Sequence, residues 1–207
     1  MSICAARRHL TTARLLLQAG SPSLGRALAD FHCRNRAHLA PWDPPTAPDF
    51  HTPAVQARRI AQGLQAFAAG TALRWWISPL DAPDRVIGSV HLSQIQRGVL
   101  QGASLGYALD GTLQGQGLMH EALQAALEEA FSPRVNLHRV QAGVRPENAR
   151  SLAVLARLGF EDEGLAREYL FIDGAWRDHR LLALRNPGFQ APEHWLRSPT
   201  ADGGTVR

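Results

Sequence analysis

An amphipathic helix pattern lies between two strand patterns in the middle of the chain, and this arrangement constrains the fold more than any other feature. The helix pattern covers 115–131, and alternating strand patterns precede it at 100–110 and follow it at 137–145. The apolar face of the helix is formed by Leu118, Ala122, Leu123, Ala126, Leu127 and Ala130. A strand, a helix and a strand in this order predict a crossover unit inside one sheet.

Strand patterns on both sides of this unit predict that the rest of the sheet is antiparallel. Three of them follow one another without an intervening helix, which favours an antiparallel meander. They lie at 72–80, 85–95 and 100–110. An earlier strand is predicted at Thr12–Gly20, and 165–184 is predicted to form a hairpin that turns at Asp173–Gly174. Helices are predicted at 21–40, 53–69 and 146–159.

The composition suits a single soluble domain. The chain has 207 residues, 45% of them hydrophobic, and no apolar stretch approaches the roughly 18 residues that would suggest a membrane span. The N-terminus lacks the pattern of a signal peptide. Cys4 and Cys33 stand alone without metal-ligand spacing, which predicts free thiols in a reducing compartment and no bound metal. We therefore expect a cytoplasmic protein with no membrane association.

All basic side chains are arginines, and the formal net charge is +4. Arginine binds phosphate and carboxylate groups with two parallel hydrogen bonds, so this excess suits an anionic ligand or an RNA-associated substrate. No basic run is longer than two residues, and a solvated arginine-rich surface explains most of these side chains. The charge therefore gives no reason to expect DNA binding.

Two glycines, Gly115 and Gly117, stand directly before the central helix. Glycine lets the backbone turn sharply and lets a ligand approach closely. The first turn of a helix has unpaired N–H groups and a partial positive charge, so this opening predicts a phosphate or pyrophosphate site. A plain tight turn is the alternative. The stretch is neither a nucleotide P-loop nor a dinucleotide fingerprint, since His120 stands where the latter requires a glycine.

The stretch Gln114-Gly115-Gln116-Gly117-Leu118-Met119 resembles the Gln/Arg-x-x-Gly-x-Gly/Ala loop of the GNAT N-acetyltransferases, with Met119 in place of the last small residue. The segments HLAPWDPP, LGYAL, NARSLAVLARLGFEDEG and EYLFIDGAWRDHRLLAL resemble the RimJ/RimL-type branch. The resemblance implies an α+β fold with α/β/α layers. It implies one acetyltransferase domain over 9–187, and the composition of the rest of the chain predicts a loosely ordered tail over 188–207.

The same resemblance implies that acetyl-CoA is the cosubstrate and suggests where it binds. Its diphosphate would lie on the loop Gln114, Gly115, Gln116, Gly117, Leu118 and Met119. Its pantetheine arm would enter a gap where strands 100–109 and 138–144 splay apart, and would pair with the backbone of Tyr107, Ala108 and Leu109. Asn148 would bond to this arm, although a helix-start residue that satisfies local backbone is the alternative. Ser151 would lie near the sulfur.

The resemblance also suggests catalytic residues. Many members use a tyrosine as the acid that protonates the leaving thiolate, but Leu155 stands at that position here. We expect Ser151, one helical turn earlier on the same face, to replace it, the alternative being a small surface residue. Glu168 is the candidate base, against the alternative of an exposed strand carboxylate. Glu121 is the second candidate for the base, although the helix dipole alone would explain a glutamate in the first turn.

Other polar groups have simpler expected roles. A backbone N–H near Leu109 would stabilise the carbonyl oxygen as it gains charge. His91 and His120 can titrate near neutral pH, but isolated histidines are usually structural. Cys33 has no sign of activation as a nucleophile, and direct attack in a ternary complex does not require one.

The acceptor is expected to bind between the loop Pro41–Pro53 and the hairpin. Trp42 and Trp176 would either wall a groove for a peptide or cover the core. At pH 7, deprotonation costs about 1 kcal/mol for an α-amine and about 4.6 kcal/mol for a lysine. A protein N-terminus can therefore be deprotonated by a weaker base than a lysine acceptor would need.

We therefore expect a ribosomal or other cytosolic protein N-terminus as acceptor, with ribosome association and a monomer or homodimer. A small-molecule amine is one alternative, and a non-catalytic acyl-CoA-binding module is another.

Overall fold

The computed structural model of the chain describes residues 6–196. Its strands are β1 (His9–Thr11), β2 (Leu15–Gln18), β3 (Leu73–Pro79), β4 (Gly88–Gln96), β5 (Gly102–Leu109), β6 (Arg139–Val144), β7 (Glu161–Ile172) and β8 (Ala175–Arg185). Its α-helices are α1 (Gly25–Arg34), α2 (Arg36–Leu39), α3 (Pro53–Ala69), α4 (Leu118–Phe131), α5 (Ala149–Arg157) and α6 (Glu193–Leu196). Short 3-10 turns cover Pro22–Leu24 and Gly111–Leu113.

The eight strands form one sheet in the order β1-β2-β3-β4-β5-β6-β8-β7. Every neighbouring pair is antiparallel except β5 and β6, which are parallel and are connected by α4. This topology confirms the predicted meander and the predicted crossover. It also confirms the hairpin, since Asp173 and Gly174 both have the positive φ of a tight two-residue turn.

Helices cover both faces of the sheet, which confirms the layered α/β/α arrangement. On one face, Leu123 of α4 and Leu155 of α5 are fully buried in a core that includes Trp75 of β3. On the other face, Phe31 of α1 and Ile60 of α3 belong to a second buried cluster. This cluster packs on Trp76, because adjacent residues of β3 point to opposite faces.

The central helix is as the apolar pattern predicts, but it starts three residues later than expected, at Leu118. All six apolar side chains of the predicted face are buried. Gly117 precedes the helix in the left-handed conformation, and no side chain caps the first turn. Glu129 on α4 is also fully buried, and its carboxylate accepts hydrogen bonds from the amide and the Nε of Arg7, each at 2.7 Å.

The strand predicted at Thr12–Gly20 is present as β2, but it is the second strand of a hairpin whose first strand, β1, was not predicted. β1 and β2 pair on either side of a turn over Thr12, Ala13 and Arg14. The amide of Thr12 donates to the carbonyl of Leu15, and the amide of Leu15 donates to the Thr12 hydroxyl at 3.0 Å. Threonine therefore closes a turn that the apolar pattern does not show.

The segment expected to be a loosely ordered tail, 188–207, is packed against the sheet as far as the structure describes it. The amide of Gln190 donates to Asn136, and the Asn136 side chain donates to the carbonyl of Gln190. The ring of Phe189 lies edge-on to His138, with 5.3 Å between centroids. These contacts hold the segment before α6 against the start of β6, while 197–207 lie outside the described residues.

Within 6–196, none of the helices has the length and apolar character that a membrane crossing needs. Cys33, on α1, is exposed and makes no disulfide, and Cys4 lies outside the described residues.

Candidate active site

The gap expected between the two parallel strands is present. β5 and β6 pair only where Gly102, Ala103 and Ser104 lie beside Arg139, Val140 and Gln141. Beyond these pairs the strands have no register with each other, so their carboxyl ends separate. The gap opens toward the start of α4, as ligand clefts in sheets of this kind usually do.

Peptide groups of β5 line this gap without partners in the sheet. The amide of Asp110 donates to the carbonyl of Ile87 at 2.8 Å, so even-numbered residues of this stretch face β4. Tyr107 and Leu109 therefore direct their N–H and C=O groups into the gap, where an extended ligand could pair with them. Ala108 lies opposite Ser89, so its peptide groups face β4 and it can contribute only its methyl group.

The loop before α4 exposes a series of backbone amides. Gly115 and Gly117 have φ values of 78° and 76°, which favour glycine. From Gly115 to His120 no amide has a protein acceptor within the described part of the chain, and the first helical bond is from Glu121 to Gly117. A Cβ on Gly115 would meet nothing within 4 Å. This cradle of N–H groups at a helix N-terminus fits a diphosphate.

Glu121 anchors this loop to the β1–β2 turn. Its carboxylate accepts from the Thr12 hydroxyl at 2.6 Å and from Arg14, through the backbone amide at 2.9 Å and Nε at 2.7 Å. Burial opposes ionisation, but the bonds from Thr12 and Arg14 outweigh it and lower the pKa of Glu121. Arg14 also donates to the carbonyl of Gln116 at 3.0 Å. These bonds explain Glu121 as an anchor, and we do not assign it the role of base.

Asp110 fixes the junction between β5 and the loop. Its carboxylate accepts from Arg34 Nε at 2.7 Å, from the Thr112 amide at 3.1 Å and from the Thr112 hydroxyl at 2.8 Å. Burial opposes ionisation, but the bonds from Arg34 and Thr112 outweigh it and lower the pKa of Asp110 to about 2. Further along, Gln114 is held by His38, with 3.1 Å between Gln114 Nε2 and His38 Nε2.

Replacing Asp110 by asparagine is expected to flatten the acid side of the stability profile. The depressed pKa of Asp110 means that its contribution is complete above its unfolded pKa of 3.8 and is lost as pH falls through about 2. The free energy of unfolding of Asp110→Asn should therefore be lower at pH 6 and should change less between pH 4 and pH 2. Urea denaturation across this range measures both effects. Exposed Asp84→Asn is the control, and equal slopes for all three proteins would contradict the assignment.

Ser151 lies at the gap and is held by two partners. Its hydroxyl is 2.6 Å from the hydroxyl of Tyr107, and its amide donates to the Asn148 side chain at 3.1 Å. Burial raises the pKa of Tyr107 to about 12, against the opposing effect of the bond to Ser151, so the phenol stays protonated. Ser151 can therefore accept from Tyr107 and direct its own proton elsewhere.

The tyrosine hydroxyl was not among the sequence-based candidates. Tyr107 was expected to contribute only backbone, and a contact with Ser151 across 44 residues leaves no local pattern. Asn148 caps α5 through its carbonyl oxygen, which is the local role given above as the alternative. Its side-chain nitrogen donates to no acceptor among residues 6–196 and stays available to a ligand.

Glu168 lies in an irregular part of β7. It has a φ of 46°, its amide donates to Asp178 Oδ1 at 2.8 Å, and its side chain is exposed. The register of β7 with β8 shifts between Ala166 and Leu170, so the three residues between them form a bulge. Glu168 makes no hydrogen bond to Ser151, and its role as base remains a prediction.

The same bulge turns a neighbouring ring toward the separating strands. Tyr169 is tilted against buried His179, with 5.6 Å between ring centroids. A Cβ on Gly143 of β6 would lie 3.4 Å from the Tyr169 ring. The hairpin therefore covers β6 where it leaves β5.

The two tryptophans expected to line the acceptor groove occupy different environments. Trp42 is half-buried beneath the guanidinium of Arg145, which lies 5.4 Å from the ring centroid and also donates to the carbonyl of Pro41. Arg145 directly follows β6, so it ties the proline-rich loop to the end of the gap. Trp176 is 60% exposed near the tip of the hairpin, where it contacts Phe171 and not Trp42.

The two histidines lie in different parts of the fold. His91 lies over Gly106 on the opposite face of the sheet from Ser151. Burial, together with the nearby Arg74 and Arg59, lowers the pKa of His91 to about 4, so it is neutral at physiological pH. His120 is half-buried on α4, and its Nδ1 has no partner among residues 6–196.

Comparison with known proteins shows that most of the chain matches one protein family. Residues 14–161 match the acetyltransferase (GNAT) domain. The chain is also 38% identical over 179 residues to the [ribosomal protein uS5]-alanine N-acetyltransferase of Escherichia coli, covering 86% of this chain and 91% of that enzyme.

Solved structures show the same relationship. The ribosomal-protein-S5-alanine acetyltransferase from Vibrio fischeri superposes with a TM-score of 0.84 and 33% identity, over 88% of this chain and 99% of that one. RimJ of Mycobacterium smegmatis, in complex with CoA-disulfide, superposes with a TM-score of 0.77 and 33% identity, over 83% and 81%.

Proposed function

The chain belongs to the GNAT acetyltransferase family, and on this premise we propose that it acetylates the N-terminal α-amine of a ribosomal protein that begins with alanine. It is an N-acetyltransferase that uses acetyl-CoA. The observation that supports this acceptor is that the similarity extends over 91% of the uS5-alanine enzyme of Escherichia coli. So wide a match includes the regions that would contact the acceptor as well as those that would bind the cosubstrate.

The residues around the gap fit acetyl-CoA, which supplies an acetyl thioester. The amides from Gly115 to His120 would hold its diphosphate, because they have no acceptor in the described chain and lie at the positive end of α4. The free edge of β5 at Tyr107 and Leu109 would pair with the pantetheine arm. Asn148 would add its side-chain nitrogen.

The proton donor in this proposal is Ser151. The 2.6 Å contact between the two hydroxyls lets either one donate; with Tyr107 as the donor, the serine proton points into the gap and can stabilise the sulfur as it becomes a thiolate. The amide of Leu109, which faces the gap, donates to the oxygen that gains charge. Glu168 or water ordered near it accepts the proton of the amine, for which an exposed carboxylate suffices because an α-amine is weakly basic.

The proposed acceptor can be tested with peptides and with whole cells. A hexapeptide with a free N-terminal alanine should be acetylated. The same peptide with a blocked α-amine and one internal lysine should react at least about tenfold more slowly, because deprotonating lysine costs more. Mass spectrometry of protein N-termini, from cells with and without the gene for this chain, should find a ribosomal protein whose acetylation depends on it. Turnover of small amines with no peptide turnover would overturn the proposal.

A further inference from the structure

A cluster of two arginines and a histidine lies on the sheet face opposite Ser151. Arg74 of β3, His91 of β4 and Gly106 of β5 are direct cross-strand neighbours, so they form a row across three strands. The row ends at the part of β5 that borders the gap. Arg59 of α3 lies on the same face of the sheet, because α3 packs against β3 there, and the pKa of Arg59 is lowered by burial and then by the charge of Arg74.

These two arginines have no acidic partner in contact with them. Arg59 donates to Gln56 Oε1 at 3.0 Å and lies over the Phe50 ring at 4.4 Å, while Arg74 lies 5.6 Å from the Trp76 ring centroid. Within residues 6–196, no carboxylate oxygen is within 4.0 Å of either guanidinium. The half-exposed arginines at the loop differ, since Arg14 and Arg34 are each bonded to a carboxylate.

The surroundings make this unpaired charge costly. Both arginines are partly buried, and burial lowers the pKa of Arg59 to about 10 and lowers that of Arg74. The negative charge of Asp43 raises the pKa of Arg59 from a distance, although burial raises the pKa of Asp43 itself. The pKa of His32 and of His91 is lowered to about 4, chiefly by burial, so neither histidine adds charge at neutral pH. Arg74 therefore remains a half-buried cation with no ion pair among residues 6–196.

The cluster lies beside the groove expected to receive the acceptor. A cavity of about 300 Å³ separates the proline-rich loop from the hairpin turn, and it is lined by Asp43, Phe50, His32 and Gly174 among others. Phe50 is the ring on which Arg59 rests, so the cavity and the cluster share a wall. His32 Nε2 is buried with no partner in the described chain, which leaves a further polar atom for a ligand.

The distance between the cluster and the gap suits a short stretch of peptide. β3 is separated from β5 by two strand spacings, or roughly 10 Å. An extended chain advances about 3.3 Å per residue, so three residues span this distance, and a long acidic side chain on the second to fourth residue of an acceptor whose α-amine lies in the gap can extend toward the arginines. Arginine binds carboxylates with directed, charge-assisted hydrogen bonds.

We propose that Arg59 and Arg74 form a subsite for an aspartate or glutamate side chain at the second, third or fourth residue of the acceptor. This inference rests on the proposed function, because it assumes that the acceptor is an N-terminal peptide. The inference predicts that the enzyme prefers acidic N-terminal peptides. The peptide groups of β5 that line the gap cannot provide this preference.

Steady-state kinetics with hexapeptides that begin with alanine test the subsite. Each peptide carries one glutamate at position two, three or four, and its control carries glutamine there. The enzyme should show a kcat/KM at least about tenfold higher for glutamate at one of these positions, because charge-assisted hydrogen bonds are replaced by neutral ones. The preference should appear mainly in KM, since the subsite is remote from the reacting atoms.

Arg74→Gln and Arg59→Gln should each reduce this preference to about twofold or less, while kcat/KM for the glutamine peptide changes little. Arg58→Gln, which removes an exposed arginine beside Arg59 on the same helix, should keep the full preference. Circular dichroism and acetyl-CoA binding identify a variant that fails to fold, and the wild-type peptide comparison does not depend on the variants.

The possible results distinguish a failure of the acidic subsite from a failure of the proposed function. Equal turnover of glutamate and glutamine peptides by the wild-type enzyme would overturn the subsite and leave the proposed function intact. Turnover of small amines with no peptide acetylated would overturn both. A preference for glutamate that survives Arg59→Gln and Arg74→Gln would place the acidic recognition elsewhere and would also refute the subsite.

Discussion

Replacing Gly117 by valine is expected to weaken acetyl-CoA binding by about a hundredfold, because the change disturbs several charge-assisted hydrogen bonds together. Gly117 has a φ of 76° immediately before α4. A β-branched residue is strained there, so the backbone should rotate away from this conformation and turn the following amides out of their shared direction. Isothermal titration calorimetry measures the change in affinity directly.

Gly98→Val is the matched control for this variant. Gly98 also has a positive φ, of 66°, and a Cβ there would meet nothing within 4 Å. It precedes β5, at the end of the strand remote from the loop. Both variants should lose similar stability in thermal unfolding, but only Gly117→Val should lose affinity. Unchanged acetyl-CoA affinity in Gly117→Val, or an equal loss in both variants, would show that these amides do not hold the cosubstrate.

Replacing Ser151 by alanine is expected to lower kcat by about a hundredfold, the lower end of the usual contribution of a positioned acid. The hydroxyl is half-buried at the gap and is 2.6 Å from Tyr107. Its removal leaves the thiolate without a proton donor, whereas acetyl-CoA is held by other groups. The affinity for acetyl-CoA should therefore change by no more than about twofold, a split that a merely structural serine would not give.

Two further variants define the role of Ser151. Ser93→Ala removes a half-buried serine of β4 and should leave kcat unchanged. Tyr107→Phe keeps the ring but removes the donor to Ser151, so kcat should fall by less than in Ser151→Ala. If Tyr107→Phe lowered kcat while Ser151→Ala did not, the phenol would be the acid. If neither variant changed kcat at any pH, the thiolate would leave without a protein donor.

The parts of the fold that were predictable are those set by local periodicity. The alternating strands at 72–110 and the helix face from Leu118 to Ala130 each contain their own signal, so the meander and the crossover follow from the sequence. The left-handed Gly117 before an uncapped helix was also visible, because glycine is the residue that favours this conformation. The hairpin of β1 and β2 was not visible, since its turn depends on a threonine hydroxyl and on Glu121 from a distant helix.

The candidate site was only partly predictable for the same physical reason. The contact between Arg14 and Glu121 spans 107 residues, and the one between Arg34 and Asp110 spans 76. Such pairs form only when the sheet brings the elements together, and neither residue carries a local mark of its partner. The cluster of Arg59 and Arg74 is of the same kind, because its members come from a helix and a strand. It is recognisable only in the structure, where neither guanidinium forms an ion pair among residues 6–196.

A crystal structure of the enzyme in complex with acetyl-CoA would test most directly whether the amides before α4 hold the cosubstrate. We expect diphosphate oxygens within about 3.2 Å of backbone nitrogens between Gly115 and His120, and the thioester sulfur beside Ser151 Oγ. A diphosphate held elsewhere, with these amides facing only solvent, would contradict this placement of the active site.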